Sequence, residues 1–115
     1  MTAEPIDEAL SEARARLVHD LSSTKADQPR CIDVVDVVVH ERRSWLEQWP
    51  DGAAFITCLV AQDVKEELVR VIGRWPQCPT TPAHELQVEP DLGEDPHWVC
   101  EDCALAVARV GELAV

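Results

Sequence analysis

Between Pro5 and Leu21 the apolar residues Ile6, Leu10, Ala13, Leu17 and Leu21 fall at steps of four, three, four and four. On a helix that spacing stacks them into one stripe. Glu12, Arg16 and Asp20 then occupy the face expected to meet water. Thr2 stands where a cap would, and Glu4, Asp7 and Glu8 suit the positive end of the helix dipole. The pattern predicts a helix over about residues 5–21. The stretch from Ser22 to Gln28 has no apolar period and many side chains that bond their own backbone, so it reads as a connector that ends at Pro29.

From Cys31 to Trp49 two readings compete. Val34, Val35, Val37, Val38 and Val39 are β-branched and would suit a buried strand. The polar residues Asp33, Asp36, His40, Arg43 and Glu47 instead recur at steps of three and four, and Val34-Val35 breaks the alternation that a half-wet strand needs. A helix over 30–49 is the preferred reading, with Pro29 in its first turn, Asp27 or Gln28 as the cap, and Pro50-Asp51-Gly52 as the stop. From Ala53 to Trp75 the set Ile56, Val60, Val64, Leu68, Val71 and Trp75 again keeps helical steps, which predicts one continuous helix over 53–75. Its rival is a strand over 54–60 followed by a helix opening at Asp63, with Glu66 completing a capping box. Gly73 weakens the last turn and Pro76 stops it.

After Pro76 the chain changes character. Pro76, Pro79, Pro82, Pro90 and Pro96 crowd a stretch with no helical period, in which Arg109 is the only Lys or Arg. Short strands are expected at Glu85–Val88, His97–Val99 and Leu105–Val110, the last two joined as a hairpin through Glu101-Asp102-Cys103. The predicted fold is therefore mainly α: a three-helix part over residues 1–75, then a small β subdomain over residues 76–115. Large aromatics at Trp45, Trp49, Phe55, Trp75 and Trp98 are assigned to the core. Val34, Val37, Phe55 and Leu59 lie beside the main stripes, and this apolar excess predicts a homodimer through the second and third helices.

The chemistry gathers in the last third, where Cys78, Cys100 and Cys103 stand with His84 and His97. Zinc takes four soft or borderline ligands in a tetrahedron, and Cys100-Glu101-Asp102-Cys103 is a turn that presents two thiolates to one ion. Cys78 and His84, brought together by a proline-bearing loop, supply the other half of a Cys3His site. His97, three residues before Cys100, competes with His84 but sits at the entry to an extended strand. Cys31 and Cys58 lie in apolar helical segments and read as small buried hydrophobes. Over about residues 75–110 the arrangement resembles the zinc-ribbon class, in which two ligand-bearing turns on short hairpins clamp one structural metal. The resemblance implies a structural Zn2+ held by Cys78, His84, Cys100 and Cys103. The first turn departs from the usual Cys-Pro-x-Cys, because Cys78-Pro79 is not followed by a second cysteine two residues on.

A catalytic metal finds less support. His84-Glu85 lacks the intervening residue of a nucleobase deaminase, and Val88 stands where His-Glu-x-x-His would place its second histidine. Four protein ligands would also close the position that catalysis needs open. Cys100 and Cys103 do not open a helix in a βαβ unit, which argues against a thioredoxin-like dithiol.

Length and charge narrow the function. The chain has 115 residues, enough for one core, and its formal net charge of -12 opposes binding to nucleic acid or to an anionic membrane. Glu85, Glu89, Asp91, Glu94, Asp95, Glu101 and Asp102 form a run without Lys or Arg, unlike the basic ribbons that bind nucleic acid. With no apolar run of membrane length and an acidic N-terminus, the expected location is the cytoplasm, and the absence of Asn and Tyr matches a GC-rich bacterial genome. The expected function is a non-enzymatic, zinc-binding protein-protein interaction or accessory module. The alternatives are an immunity- or antitoxin-type inhibitor of a basic partner, and a small metal-dependent hydrolase using Glu85 or Glu101.

Overall fold

The structure, a computed structural model, describes residues 3–114; the expected cap at Thr2 lies outside them. Helix α1 spans Ala3–Ser23 and buries all five stripe residues, Ile6, Leu10, Ala13, Leu17 and Leu21. Helix α2 spans Pro29–Gln48 with Pro29 in its first turn. Cys31, Val35, Val38 and Leu46 are buried along it while Asp33, Asp36 and His40 are exposed, so the helical period prevails over the β propensity of the valines. Gln28 occupies the cap position without a side-chain cap bond.

The single helix expected over 53–75 is shorter at both ends. Pro50–Phe55 forms a 3-10 helix, and helix α3 covers Ile56–Leu68. At the front, Trp45, Trp49 and Phe55 pack on one another around Gly52, where an added Cβ would sit 2.7 Å from the Trp45 ring. This tight turn leaves no room for a regular helical start. At the back, the N–H groups of Val71 and Ile72 both donate to Leu68 O, and Gly73 adopts φ +86. The chain thereby leaves the helix before Trp75.

Three antiparallel strands follow, β1 (Gln87–Glu89), β2 (His97–Cys100) and β3 (Leu105–Arg109), in the order β1-β2-β3. Val88 pairs with Trp98, Cys100 with Leu105, and an irregularity between Trp98 and Val99 accommodates Val107. The architecture is three helices followed by a small antiparallel sheet. One continuous core runs from Ile6 on α1 through Val64 on α3 to Trp98, Val110 and Leu113. Of the aromatics assigned to the core, Trp75 and Trp98 are buried edge to face at 5.4 Å, Trp45 and Phe55 are half-buried, and Trp49 is exposed.

Asp20 corrects the sequence reading. Expected to face water, it is fully buried and its carboxylate accepts hydrogen bonds from Trp98 Nε1 at 2.7 Å, Gly111 N at 2.7 Å and Leu113 N at 3.0 Å. A buried carboxylate persists only where donors satisfy it, and these three come from the sheet and the segment after it. Asp20 therefore ties α1 to the C-terminal sheet and the segment after it. Beside it, Arg16 donates to Val110 O at 3.0 Å, and Gly111 adopts φ +99 directly against the helix.

Candidate metal centre

Two turns build the site. In the first, Cys78 N–H donates to His84 O at 2.9 Å and His84 N–H donates to Thr81 O at 2.9 Å, closing residues 78–84 into a compact loop. Leu86 N–H bonds Pro76 O at 2.8 Å, and Gln77 bridges Glu85. These bonds fix the loop's stem and hold the backbones of Cys78 and His84 together. The second turn joins β2 to β3: Cys100 ends β2, Ala104 N–H bonds Glu101 O at 3.2 Å, and Ala104 takes φ 54 to bring the chain back. Cys103 projects from that turn.

The two turns face each other. Cys78 Sγ lies 4.0 Å from Cys103 Sγ, and Cys78, Cys100 and Cys103 have all their sulfurs within 4.8 Å of one another. Cys78 and Cys100 are buried and Cys103 is half-buried. Three thiols so placed can hold a metal ion. His84 Nδ1 stands 3.6 Å from Cys100 Sγ and 3.6 Å from Cys103 Sγ, while the cluster in which every donor is within 4.8 Å of every other contains the three sulfurs alone. The other ring nitrogen, Nε2, is 3.9 Å from Asp102 Oδ2.

The thiols differ in their surroundings. Backbone N–H groups of Thr81, and to a smaller extent Thr80, hold the Cys78 thiol below its ordinary range against the opposing effect of burial. Burial pushes Cys100 up, and the neighbouring thiols add to this while the Cys103 N–H counters it. Hydrogen bonds from the chain thus favour the charged form at Cys78, and burial disfavours it at Cys100.

His97 sits three residues from Cys100 at the opposite end of β2, paired with Glu89 and Arg109, and its Nδ1 is 3.0 Å from Asp95 O. It stands outside the sulfur cluster. Cys31 and Cys58 are buried in α2 and α3, and Cys58 Sγ lies 3.1 Å from Pro90 O. Of the carboxylates considered for catalysis, Glu85 is ion-paired with the nearly buried Lys65 and Glu101 is exposed on the turn. Asp102 and Thr81, whose Oγ1 is 3.7 Å from Cys103 Sγ, border the site without having stood out in the sequence. Short polar residues in turns are too common for their spacing to have singled them out.

One family matches the chain: a domain of unknown function, DUF8819, over residues 6–110. No curated protein and no solved structure matches it.

Proposed function

The chain belongs to the DUF8819 family, and we propose that it is a small, acidic, non-enzymatic interaction module whose C-terminal sheet is stapled by one structural zinc ion. The proposed ligands are Cys78, His84, Cys100 and Cys103. The observation that carries this reading is the spacing of the donor atoms. With Zn–S near 2.3 Å and Zn–N near 2.05 Å, a tetrahedral site sets two sulfurs about 3.8 Å apart and a sulfur and a nitrogen about 3.6 Å apart. The 4.0 Å Cys78–Cys103 and 3.6 Å His84–Cys103 separations are close to those values. A thiolate-rich donor set favours zinc over hard cations, and iron-sulfur clusters ordinarily take four cysteines.

When bound, the metal supplies a cross-link between the two turns. The chain's own residues do the rest. Thr81 N–H favours the charged form of Cys78, and the Asp102 carboxylate stands 3.9 Å from Nε2, on the side of the His84 ring away from the sulfurs. With four protein ligands the site has no open position, which supports a structural role over hydrolysis. The Glu85–Lys65 ion pair also occupies one of the two carboxylates that a hydrolase would use.

The acidic surface supports a basic protein partner, as in an interaction module or an inhibitor that covers a basic site. The test of the ligand set is zinc retention against a competing chelator. Cys100→Ser and Cys103→Ser should abolish binding, His84→Ala should weaken it, and Cys31→Ser and Cys58→Ser should leave it unchanged. A larger loss from His97→Ala than from His84→Ala would overturn the assignment.

A further inference from the structure

Charge pairing is uneven around α2. Asp36 pairs with Arg14, Arg42 with Asp63 and Arg43 with Asp7, so the charges on the sides of α2 that carry these residues are neutralised within the molecule. The remaining side does not. There Asp33, Val34, Val37, Val38 and Glu41 of α2, with Glu67 of α3, line a groove of about 310 Å³. Among the described residues Asp33 and Glu41 have no ion-pair partner, and Glu67 has only a 3.9 Å contact with the largely exposed Arg70. Val37 is 56% exposed in this groove, beside the buried Val38. No basic residue lines the groove.

An apolar floor with unpaired carboxylates on both sides fits an amphipathic helix: an apolar anchor fills the floor and flanking Lys or Arg side chains complete the ion pairs. A second copy of this chain fits poorly, because it would bring the same three carboxylates across a two-fold axis within a molecule of net charge -12. The apolar excess read from the sequence has also shrunk, since Val34, Phe55 and Leu59 are half-buried. We propose that the groove between α2 and the end of α3 docks a basic amphipathic helix of a partner protein, with Val37 at its centre and Asp33, Glu41 and Glu67 as its charge-matching rim. This rests on the interaction-module reading and names the surface and the partner class; it does not depend on the identity of the metal.

The probe is a synthetic 18-residue helical peptide with Leu at positions i, i+3, i+4 and i+7 and Lys on the flanking positions, beside a version with Glu in place of Lys. Binding to the full chain is measured by fluorescence anisotropy at low and at physiological salt. The Lys peptide should bind and the Glu peptide should not. Val37→Ser should weaken binding about tenfold, which is what withdrawing one aliphatic anchor from a buried contact removes. Asp33→Asn with Glu41→Gln should weaken it and flatten its salt dependence. As a control, Asp91→Asn with Glu94→Gln removes the same charge from the acidic loop between β1 and β2 and should leave affinity unchanged. Equal weakening by the control pair, or no effect of Val37→Ser, would overturn the proposal. So would a mass twice 12.8 kDa that Val37→Ser abolishes, because the groove would then be covered by a second copy. Zinc content and the thermal midpoint are measured on every variant. A loss of peptide binding at unchanged zinc content tests the groove, and a loss of zinc alone tests the metal site.

Discussion

Asp20 offers the sharpest test of how the C-terminal sheet is held to the helices. Replacing it with alanine removes one carboxylate and strands three donors: the indole N–H of the fully buried Trp98 and the backbone N–H groups of Gly111 and Leu113. A hydrogen bond to a charged group contributes about 1.5–3 kcal/mol, and a buried donor left without a partner costs about 1–3 kcal/mol. These costs overlap, and water entering the space recovers part of them. Asp20→Ala is therefore expected to destabilise by about 3–5 kcal/mol, a large share of the roughly 5–15 kcal/mol available to a domain. At about 4 °C per kcal/mol the thermal midpoint should fall by roughly 12–20 °C. Asparagine should cost less, though still a good deal. Its one oxygen can keep Trp98 and Gly111, which share Oδ2, but its amide then meets the Leu113 N–H, donor against donor. Urea and thermal unfolding of metal-loaded protein measure all three. Wild-type stability within about 1 kcal/mol for Asp20→Ala would refute the claim that this carboxylate joins the two ends of the chain.

Three further outcomes are expected. Gly111→Ala should destabilise by about 1–3 kcal/mol, because alanine is strained at φ +99 and its Cβ would lie 2.6 Å from Arg16 Cγ; chemical denaturation checks it. Asp95 is held below the usual carboxylate range by its bond from Arg109, so its contribution is present above the unfolded-state value and lost as pH falls through the folded one. Asp95→Asn should accordingly cost a little stability at neutral pH and nothing at strongly acidic pH, as read from thermal midpoints along a pH series. Removing metal with a chelator should reduce the near-ultraviolet circular dichroism of the Trp75–Trp98 pair, since Trp98 lies on the strand that carries Cys100, while most far-ultraviolet helical signal persists. Loss of both signals together would mean that the helices depend on the metal as strongly as the sheet does.

The helices were legible because their information is local. Ile6 to Leu21 on α1 and Cys31, Val35 and Val38 on α2 repeat at helical steps, and burial follows those steps. The ends of α3 were not legible from period alone. The steps at Val71 and Trp75 continue the pattern, yet Gly73 turns the chain, and Trp75 reaches the core from a loop, its Nε1 donating to Thr24 Oγ1. The sulfur cluster was readable because Cys100 and Cys103 share a turn and Cys78 lies at a proline-bearing one. Asp20 was not, because apart from the adjacent His19, whose Nδ1 is 3.0 Å from Oδ1, the groups that satisfy its carboxylate lie 78 to 93 residues further along the chain. By spacing Asp20 follows Leu17 by three and Ala13 by seven, which sets it at the edge of the apolar stripe, and the sheet and the segment after it close over that edge.

The central claim is a zinc ion held by three sulfurs and one nitrogen. X-ray absorption at the zinc edge, on protein purified without added metal and with its zinc content measured on the same sample, tests it most directly. The account predicts about one zinc per chain in a shell of three sulfurs near 2.3 Å and one nitrogen near 2.05 Å, with the nitrogen lost in His84→Ala. Fewer than about 0.2 zinc per chain, or a shell dominated by oxygen, would contradict it, because neither outcome is compatible with a thiolate-rich closed site.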